Sequence, residues 1–325
     1  MPAGCGAGNL PVMISIAICA YNNAKKLAVA LESLRDLTCP PGVSYEILVI
    51  DDGSQDETER KVATHGERVR YVFQDNAGPG AARNHGIRIS TGAYLAFLDS
   101  DDVWLPTFLE KTVSALETHP QADLATTGIY VGPHERRSVG LLDGVTPGLW
   151  RLPTQGTRRQ IPRLFHCCWS GAVVARRHVV ERYGGFYERG CQLGEDVYLW
   201  IQVALNHWMY RICEPLAWYD TAASGLGFAS GRPHYPMEPV LTDPEAIWRN
   251  CPPAYRTFLS SWLACHAVKS IHMQIAAGDH ENARWLIEHY PAVRQWRSDW
   301  LRIRFKLAFP TLAGPVRKIK HALQR

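Results

Sequence analysis

The chain has 325 residues, 46% of them apolar, and a formal charge of +4. Such a composition suits a globular protein of one large or two modest domains, and the mild charge excludes a dedicated nucleic-acid binder. Nine cysteines, an odd number with no C-x-x-C pair, exclude a disulfide framework or structural zinc site and point to a reducing compartment.

Residues 1–11 are small, Gly-rich and loose, without the basic and then apolar pattern of a signal peptide. No apolar run reaches the roughly 18 to 20 residues of a membrane span, so a cytoplasmic protein is expected, held at most at the inner face of a membrane. Val12–Cys19 reads as a first buried strand, ended by the turn Ala20-Tyr21-Asn22-Asn23. Apolar residues at helical spacing follow (Leu27, Leu31, Leu34), and Pro40-Pro41-Gly42 stops them. Tyr45–Ile50 is a second strand running into Asp51-Asp52-Gly53-Ser54, so strand, helix and strand make one right-handed parallel crossover. A polar helix near 56–65 and a short strand at Val69–Phe73 come next. Then Asn76-Ala77-Gly78-Pro79-Gly80-Ala81-Ala82-Arg83-Asn84 leads into a helix that ends at Thr91-Gly92.

The fourth strand, Tyr94–Leu98, stops abruptly in Asp99-Ser100-Asp101-Asp102. Three carboxylates this close repel one another unless water or a cation lies among them. A hard divalent cation such as Mg²⁺ or Mn²⁺ takes oxygen ligands and is commonly held by one or two carboxylates plus substrate phosphates. A solvated acidic turn or helix cap would account for the same run standing alone. Strand ends at Tyr21, Asp52 and Asp99 should open on one edge of one sheet, where open α/β sheets bind ligands.

Farther on, Thr107–Glu117 reads as a helix, 132–160 as a long loop over the site and Cys167–Val174 as another strand. Val197–Leu205 is an apolar helix directly after Gly194-Glu195-Asp196, and Tyr210–Cys213 reads as a final edge strand. A Gly, Ser, Pro and His-rich stretch at 221–239 marks a boundary or lid, and helices fill the remainder.

Taken in order, Ile18-Cys19-Ala20-Tyr21-Asn22, Asp51-Asp52-Gly53-Ser54, Asn76 to Gly86, Phe97 to Asp102, Gly184-Gly185-Phe186 and Gly194-Glu195-Asp196 resemble the family 2 glycosyltransferases. The resemblance covers about residues 12–220. It implies an α/β GT-A fold: a mostly parallel, Rossmann-like sheet flanked by helices, with a C-terminal helical region. It also implies a catalytic domain at 12–225 (donor half 12–102, acceptor half 103–225) and a lid-like linker and helices at 226–325.

The implied activity is hexosyltransferase-type: metal-dependent, inverting, non-processive transfer from a nucleotide-diphospho-sugar, UDP being the family-weighted nucleotide. The acceptor would be a hydroxyl of a glycan or a lipid-linked envelope polysaccharide. Asp52 resembles the carboxylate that reads the base, framed by Cys19, Ala20 and Tyr21, although Asp-Gly-Ser is also good turn chemistry. Asp51 reads as structural. Asp101 would ligate Mn²⁺ or Mg²⁺, Asp99 would face the ribose or share the metal shell beside Ser100, and Asp102 would cap the next helix. Arg83 either meets the base and phosphates or pairs with Asp51 or Asp52. Asp196 resembles the base that deprotonates the attacking hydroxyl, with Glu195 positioning acceptor or phosphate. Trp169 and Trp200, like Tyr198, offer flat faces for acceptor sugar rings.

Three departures stand out. Where many members carry Tyr-Arg-x-His, this chain has Trp218-Tyr219-Asp220-Thr221, which leaves a metal or phosphate contact to another residue, for which His234 is the candidate. The Gln-x-x-Arg-Trp motif of processive synthases is missing, and Arg294-Gln295-Trp296-Arg297 is no substitute. From Arg294 to Arg325, nine Lys or Arg stand against Asp299 alone, a net +8 interleaved with apolar residues. That pattern suits either an anionic membrane surface or a terminal helix with a solvated basic face. A nucleotide-sugar-binding protein without transferase activity is the rival function. A nucleotidyltransferase fits less well, for want of a basic Gly-rich loop after the first strand.

Overall fold

The computed structural model describes residues 12–132, 138–139, 146–164, 168–191, 193–220 and 236–309. Ten strands form one sheet: β1 (Val12–Ala20), β2 (Val43–Asp51), β3 (Val69–Phe73), β4 (Tyr94–Asp99), β5 (Asp102–Trp104), β6 (Ala122–Val131), β7 (Ser138–Val139), β8 (Gly148–Trp150), β9 (Val173–Arg176) and β10 (Trp208–Tyr219). Their order is β3-β2-β1-β4-β9-β6-β10-β5, with β7 beside β6 and β8 beside β10. The pairs β3–β2, β2–β1, β1–β4 and β6–β10 are parallel, while β9 runs antiparallel between β4 and β6. The sheet is therefore mixed, with its first half wholly parallel, as the strand-helix-strand pattern predicts.

Helices cover both faces: α1 (Ala24–Ser33), α2 (Thr58–Ala63), α3 (Pro79–Ile89), α4 (Phe108–Thr118), α5 (Ile161–Leu164), α6 (Arg177–Arg182) and α7 (Glu195–Asn206). The C-terminal region adds α8 (Pro239–Thr242), α9 (Glu245–Asn250), α10 (Arg256–Ala277), α11 (His280–His289) and α12 (Arg297–Ala308). Strand alternation sorts the core. Ile14, Ile16 and Ile18 of β1 and Ala96 and Leu98 of β4 pack with α1 and α4. Ala17, Leu95 and Phe97 face the other way, into a cluster shared with α3, α7 and the C-terminal helices through Trp262 and Ile303.

Several elements differ from the sequence reading. β10 is twelve residues long and lies inside the sheet, not at its edge; Pro215 sits where its register with β6 breaks, so the proline that hides the strand's pattern occupies a bulge. The edge belongs to β5, where Asp102 pairs in register with Tyr219 instead of capping α4, whose N-cap position is Thr107. The strand expected at Cys167–Val174 begins only at Val173, after a 3-10 turn at Ser170–Ala172.

Candidate active site

The same alternation aims the acids. Leu48 and Ile50 face Ala82 of α3, so Asp52, two residues on, turns to the α3 side, and Asp51 turns away. Phe97 faces α3 and α7, so Asp99 follows it there. Cys19 is in register with both Ile50 and Asp99, which places three strand ends on one edge.

That edge is cross-braced. Asn22, the one non-glycine residue with positive φ among the described residues (+48°), accepts from the Gln55 amide at 2.8 Å, and its own amide donates to Ser54 Oγ at 2.8 Å. Asn23 Nδ2 donates to Ser100 Oγ at 3.1 Å, tying the first turn to the end of β4. Asp56, which sequence reasoning passed over, accepts from the Ala24 amide at 2.9 Å and so starts α1. Tyr21 remains 53% exposed on this braced turn, whereas Ala20 is buried. Cys19 is partly accessible, yet burial of its thiol pushes its pKa up to about 12, so it contributes no thiolate.

Asp51 is a structural residue, accepting from the Ser54 amide at 2.8 Å and the Tyr71 hydroxyl at 2.7 Å. Asp52 shapes the next loop: its Oδ1 accepts from Gln74 Nε2 at 2.7 Å and the Ala77 amide at 2.9 Å, and its Oδ2 from the Gly78 amide at 2.8 Å. Of roughly four acceptor positions on a carboxylate, one on Oδ2 is left.

Arg83, buried on α3, pairs with neither Asp51 nor Asp52. Its Nη1 donates to Glu195 Oε1 at 2.6 Å and its Nη2 to Asp99 Oδ1 at 2.5 Å, with Phe186 5.3 Å from the guanidinium carbon. The buried guanidinium thus joins the end of β4 to the first turn of α7. The close approach of α3 to the 184–191 loop rests on two glycines. A Cβ on Gly80 would lie 2.0 Å from the Tyr187 carbonyl oxygen, and one on Gly185, at φ +79°, 2.2 Å from Asn84 Oδ1. Asn84 fastens the same loop, accepting from the Phe186 amide and donating to its carbonyl, each at 2.8 Å.

For the remaining acids the nearby cations, Lys26 for Asp101 and Arg83 for Asp102, are outweighed by burial and by neighbouring carboxylates. Both carboxylate oxygens of Asp102 are buried, and no side chain among the described residues donates to them. Burial raises its pKa well above the carboxylate range, Asp99 and Asp101 raise it further, and the Asp220 backbone offsets only part. Burial and then Asp99 push Asp101 up to about 6. Among the described residues no three His, Cys, Asp or Glu side chains form a metal cage. A hard divalent ion needs none, because phosphate oxygens and water complete its shell; orphaned carboxylate oxygens beside Asp99 and Asp101 fit such an ion. His234 lies outside the described residues.

Asp196 sits in the first turn of α7 after Gly194, which takes the left-handed conformation at φ +84°. The side chain keeps partial solvent access, but burial and the neighbouring Glu195 push its carboxyl up to about 7, against the opposing pull of Arg83. A cleft of about 350 Å³ borders the loop leading into α7, lined by Tyr187, Arg189, Cys191, Met237, Pro239 and Thr242. None of these six residues carries a periodic or motif signal. Trp200 is not a sugar platform: it is fully buried, donates to Ser170 Oγ at 2.9 Å and packs on Phe97 and Phe186. Trp169 is half-buried against Tyr219, with ring centroids 5.4 Å apart.

A mixed sheet whose parallel half delivers acids from the ends of β2 and β4 to its carboxyl edge, facing a helix that begins in Glu-Asp, defines a nucleotide-sugar transferase fold of GT-A type. The chain belongs to glycosyl transferase family 2, whose family model, "Glycosyl transferase family 2", matches residues 15–184. It is similar to "Uncharacterized glycosyltransferase RP339" of Rickettsia prowazekii, 34% identical over 196 residues that cover 58% of each chain. It is also similar to "Uncharacterized glycosyltransferase YibD" of Escherichia coli, 36% identical over 184 residues, 52% of this chain and 50% of that one. The chain thus spans between half and three-fifths of the length of these two curated relatives.

Two solved structures share the fold. Staphylococcus aureus TarS 1–349 in complex with UDP-GlcNAc aligns at TM-score 0.63 and 18% identity over 87% of this chain and 92% of that one. The mannosyltransferase PcManGT of Pyrobaculum calidifontis, in complex with GDP-Man and Mn²⁺, aligns at 0.55 and 18% over 94% and 86%. Among the described residues no helix is long and apolar enough to cross a membrane.

Proposed function

We propose that this chain transfers a hexosyl unit, with inversion at the anomeric carbon, from a UDP-sugar to a hydroxyl of a glycan or lipid-linked acceptor, using Mn²⁺ or Mg²⁺. The observation that carries this reading is the convergence of Asp52, Asp99 and Asp101 on one sheet edge, which the buried guanidinium of Arg83 joins through Glu195 to the helical turn that carries Asp196. A diphosphate cannot approach so many carboxylates without a cation between them. Asp101 would hold the metal together with the free oxygen of Asp99, and the metal when bound supplies Lewis-acid stabilisation of the nucleoside-diphosphate leaving group.

The base stacks on exposed Tyr21 and donates its imide N–H to the remaining acceptor position of Asp52 Oδ2. Asp196 takes the proton of the acceptor hydroxyl, a task for which a carboxyl pushed up to about 7 is well matched near neutral pH. Arg83 holds Glu195 and thereby the first turn of α7. The acceptor enters along the cleft lined by Tyr187, Arg189 and Met237. The fold neighbours found with UDP-GlcNAc and with GDP-Man and Mn²⁺ support the donor and metal classes.

The rival reading, a nucleotide-sugar-binding protein without transfer, draws on the three positions of Asp52 already filled and on Asp220 standing where many family members carry Arg. Hydrolysis of UDP-sugars with Mn²⁺ separates the two. Turnover by the natural chain and none by Asp196→Asn supports the transferase; binding without turnover in either supports the rival.

A further inference from the structure

Helix α12 packs by one side only. Ile303 is fully buried, and Trp300 and Leu307 lie against the same core. Its one acid, Asp299, is turned inward to Arg158, with Nε to Oδ2 at 3.0 Å. The outer side carries Leu301, Phe305 and Phe309, exposed by 62, 53 and 50%. Spaced four apart, they form one stripe about 12 Å long. The Phe305 and Phe309 rings touch, with centroids 5.3 Å apart. Exposed Arg297 heads the same row at its N-terminal end, Arg304 flanks it on one side and Arg302 on the other, and no acid interrupts it.

We propose that this face of α12 docks on the surface of an anionic lipid bilayer, with Leu301, Phe305 and Phe309 entering the acyl boundary and the arginines meeting lipid phosphates. Large apolar side chains in a row, fenced by arginines, are the pattern of a helix that lies in the plane of a membrane interface. Charge selects this occupant over two others. A second copy would bring the same arginines face to face. Residues 310–325 carry four Lys or Arg and no acid, so they too are repelled by this face, while they add to its attraction for anionic lipid. The inference does not depend on the transferase reading. If both hold, α12 brings the catalytic edge to the compartment where a lipid-linked acceptor resides.

The test is flotation of the full chain with phosphatidylcholine vesicles, with and without phosphatidylglycerol. The natural chain floats only with the anionic vesicles, and less as salt rises. Leu301→Glu with Phe305→Glu lowers bound protein by about tenfold or more, and Arg297→Gln with Arg302→Gln and Arg304→Gln also lowers it. Because these side chains are solvent-facing, the variants should melt with the natural chain; Leu301→Asn alone provides a milder check. The proposal is overturned if the natural chain does not float. It is equally overturned if the glutamate pair floats unchanged, or if sedimentation shows a dimer that the glutamate pair disperses.

Discussion

Arg83 Nη1 and Glu195 Oε1 meet at 2.6 Å across 112 residues of sequence, both buried, and so join the helix behind the acidic strand to the helix that begins with Asp196. The acid-bearing edge of the sheet and the first turn of α7 are thereby one electrostatic unit. Arg83 also neutralises Asp99, so its loss would leave two acids facing each other across the site.

Removing the guanidinium should therefore cost stability as well as activity. Arg83→Met leaves Glu195 buried without a counter-charge, a loss of about 3 to 5 kcal/mol for broken buried pairs, read as a lower urea midpoint. Arg83→Lys keeps the charge but not the fork that reaches two carboxylates, and should lie between the two. The pH profile of Arg83→Met should shift its acid limb upward, because the Arg83 charge pulls the Asp196 carboxyl down.

Asp196 makes a paired prediction about pH. Only the ionised carboxylate accepts a proton, so kcat/KM should rise with pH through about 7 in the natural chain. Asp196→Asn should lose about 10²-fold or more in transfer and with it that limb. Stability moves in the opposite sense. The carboxyl's pKa is raised by folding, so the native state binds the extra proton and stability falls as pH rises from about 4 to about 7. Asp196→Asn should show a shallower fall, Asp101 and Asp102 still contributing theirs, and melt higher than the natural chain at pH 8. Thermal unfolding at pH 5 and pH 8 checks the sign.

Gly80 tests the packing that places Arg83. A methyl group there would meet the Tyr187 carbonyl, which is backbone and cannot swing aside. Gly80→Ala should displace α3 from the 184–191 loop at a cost of about 1 to 3 kcal/mol. Donor binding should weaken along with the melting temperature, although residue 80 touches no ligand in the proposed site.

How far the sequence foretold this site depended on what each residue's neighbours are. Asp52 and Asp99 were legible because strand parity and register follow from the apolar runs before them. The C-terminal helices likewise followed from apolar spacing. The pairing of Arg83 with Glu195 is not legible: Asp51, Asp52 and Asp99 are all nearer in sequence, and only the packing of α3 on α7 brings Glu195 to it. Trp200 was read as an acceptor surface because composition does not distinguish a tryptophan in the core from one in a cleft. Glu214-Pro215 interrupts the alternation of β10, so its full length, and with it the pairing of Tyr219 with Asp102, has no sequence signature. The cleft beside α7 has no sequence signature for a similar reason, since Tyr187 and Met237 come from separate segments with no motif.

The central claim is that the acids at the end of β4 hold a metal-bound nucleotide sugar. Thermal shift of the natural chain and of Asp101→Asn, with UDP-sugars in the presence and absence of Mn²⁺, addresses it most directly. A ligand at 100 times its Kd adds about 2.7 kcal/mol to the native state, enough to register as a shift of a few degrees. The account predicts a rise that requires nucleotide and metal together and is lost in Asp101→Asn. No metal-dependent shift with any nucleotide sugar, or an equal shift in Asp101→Asn, would contradict it.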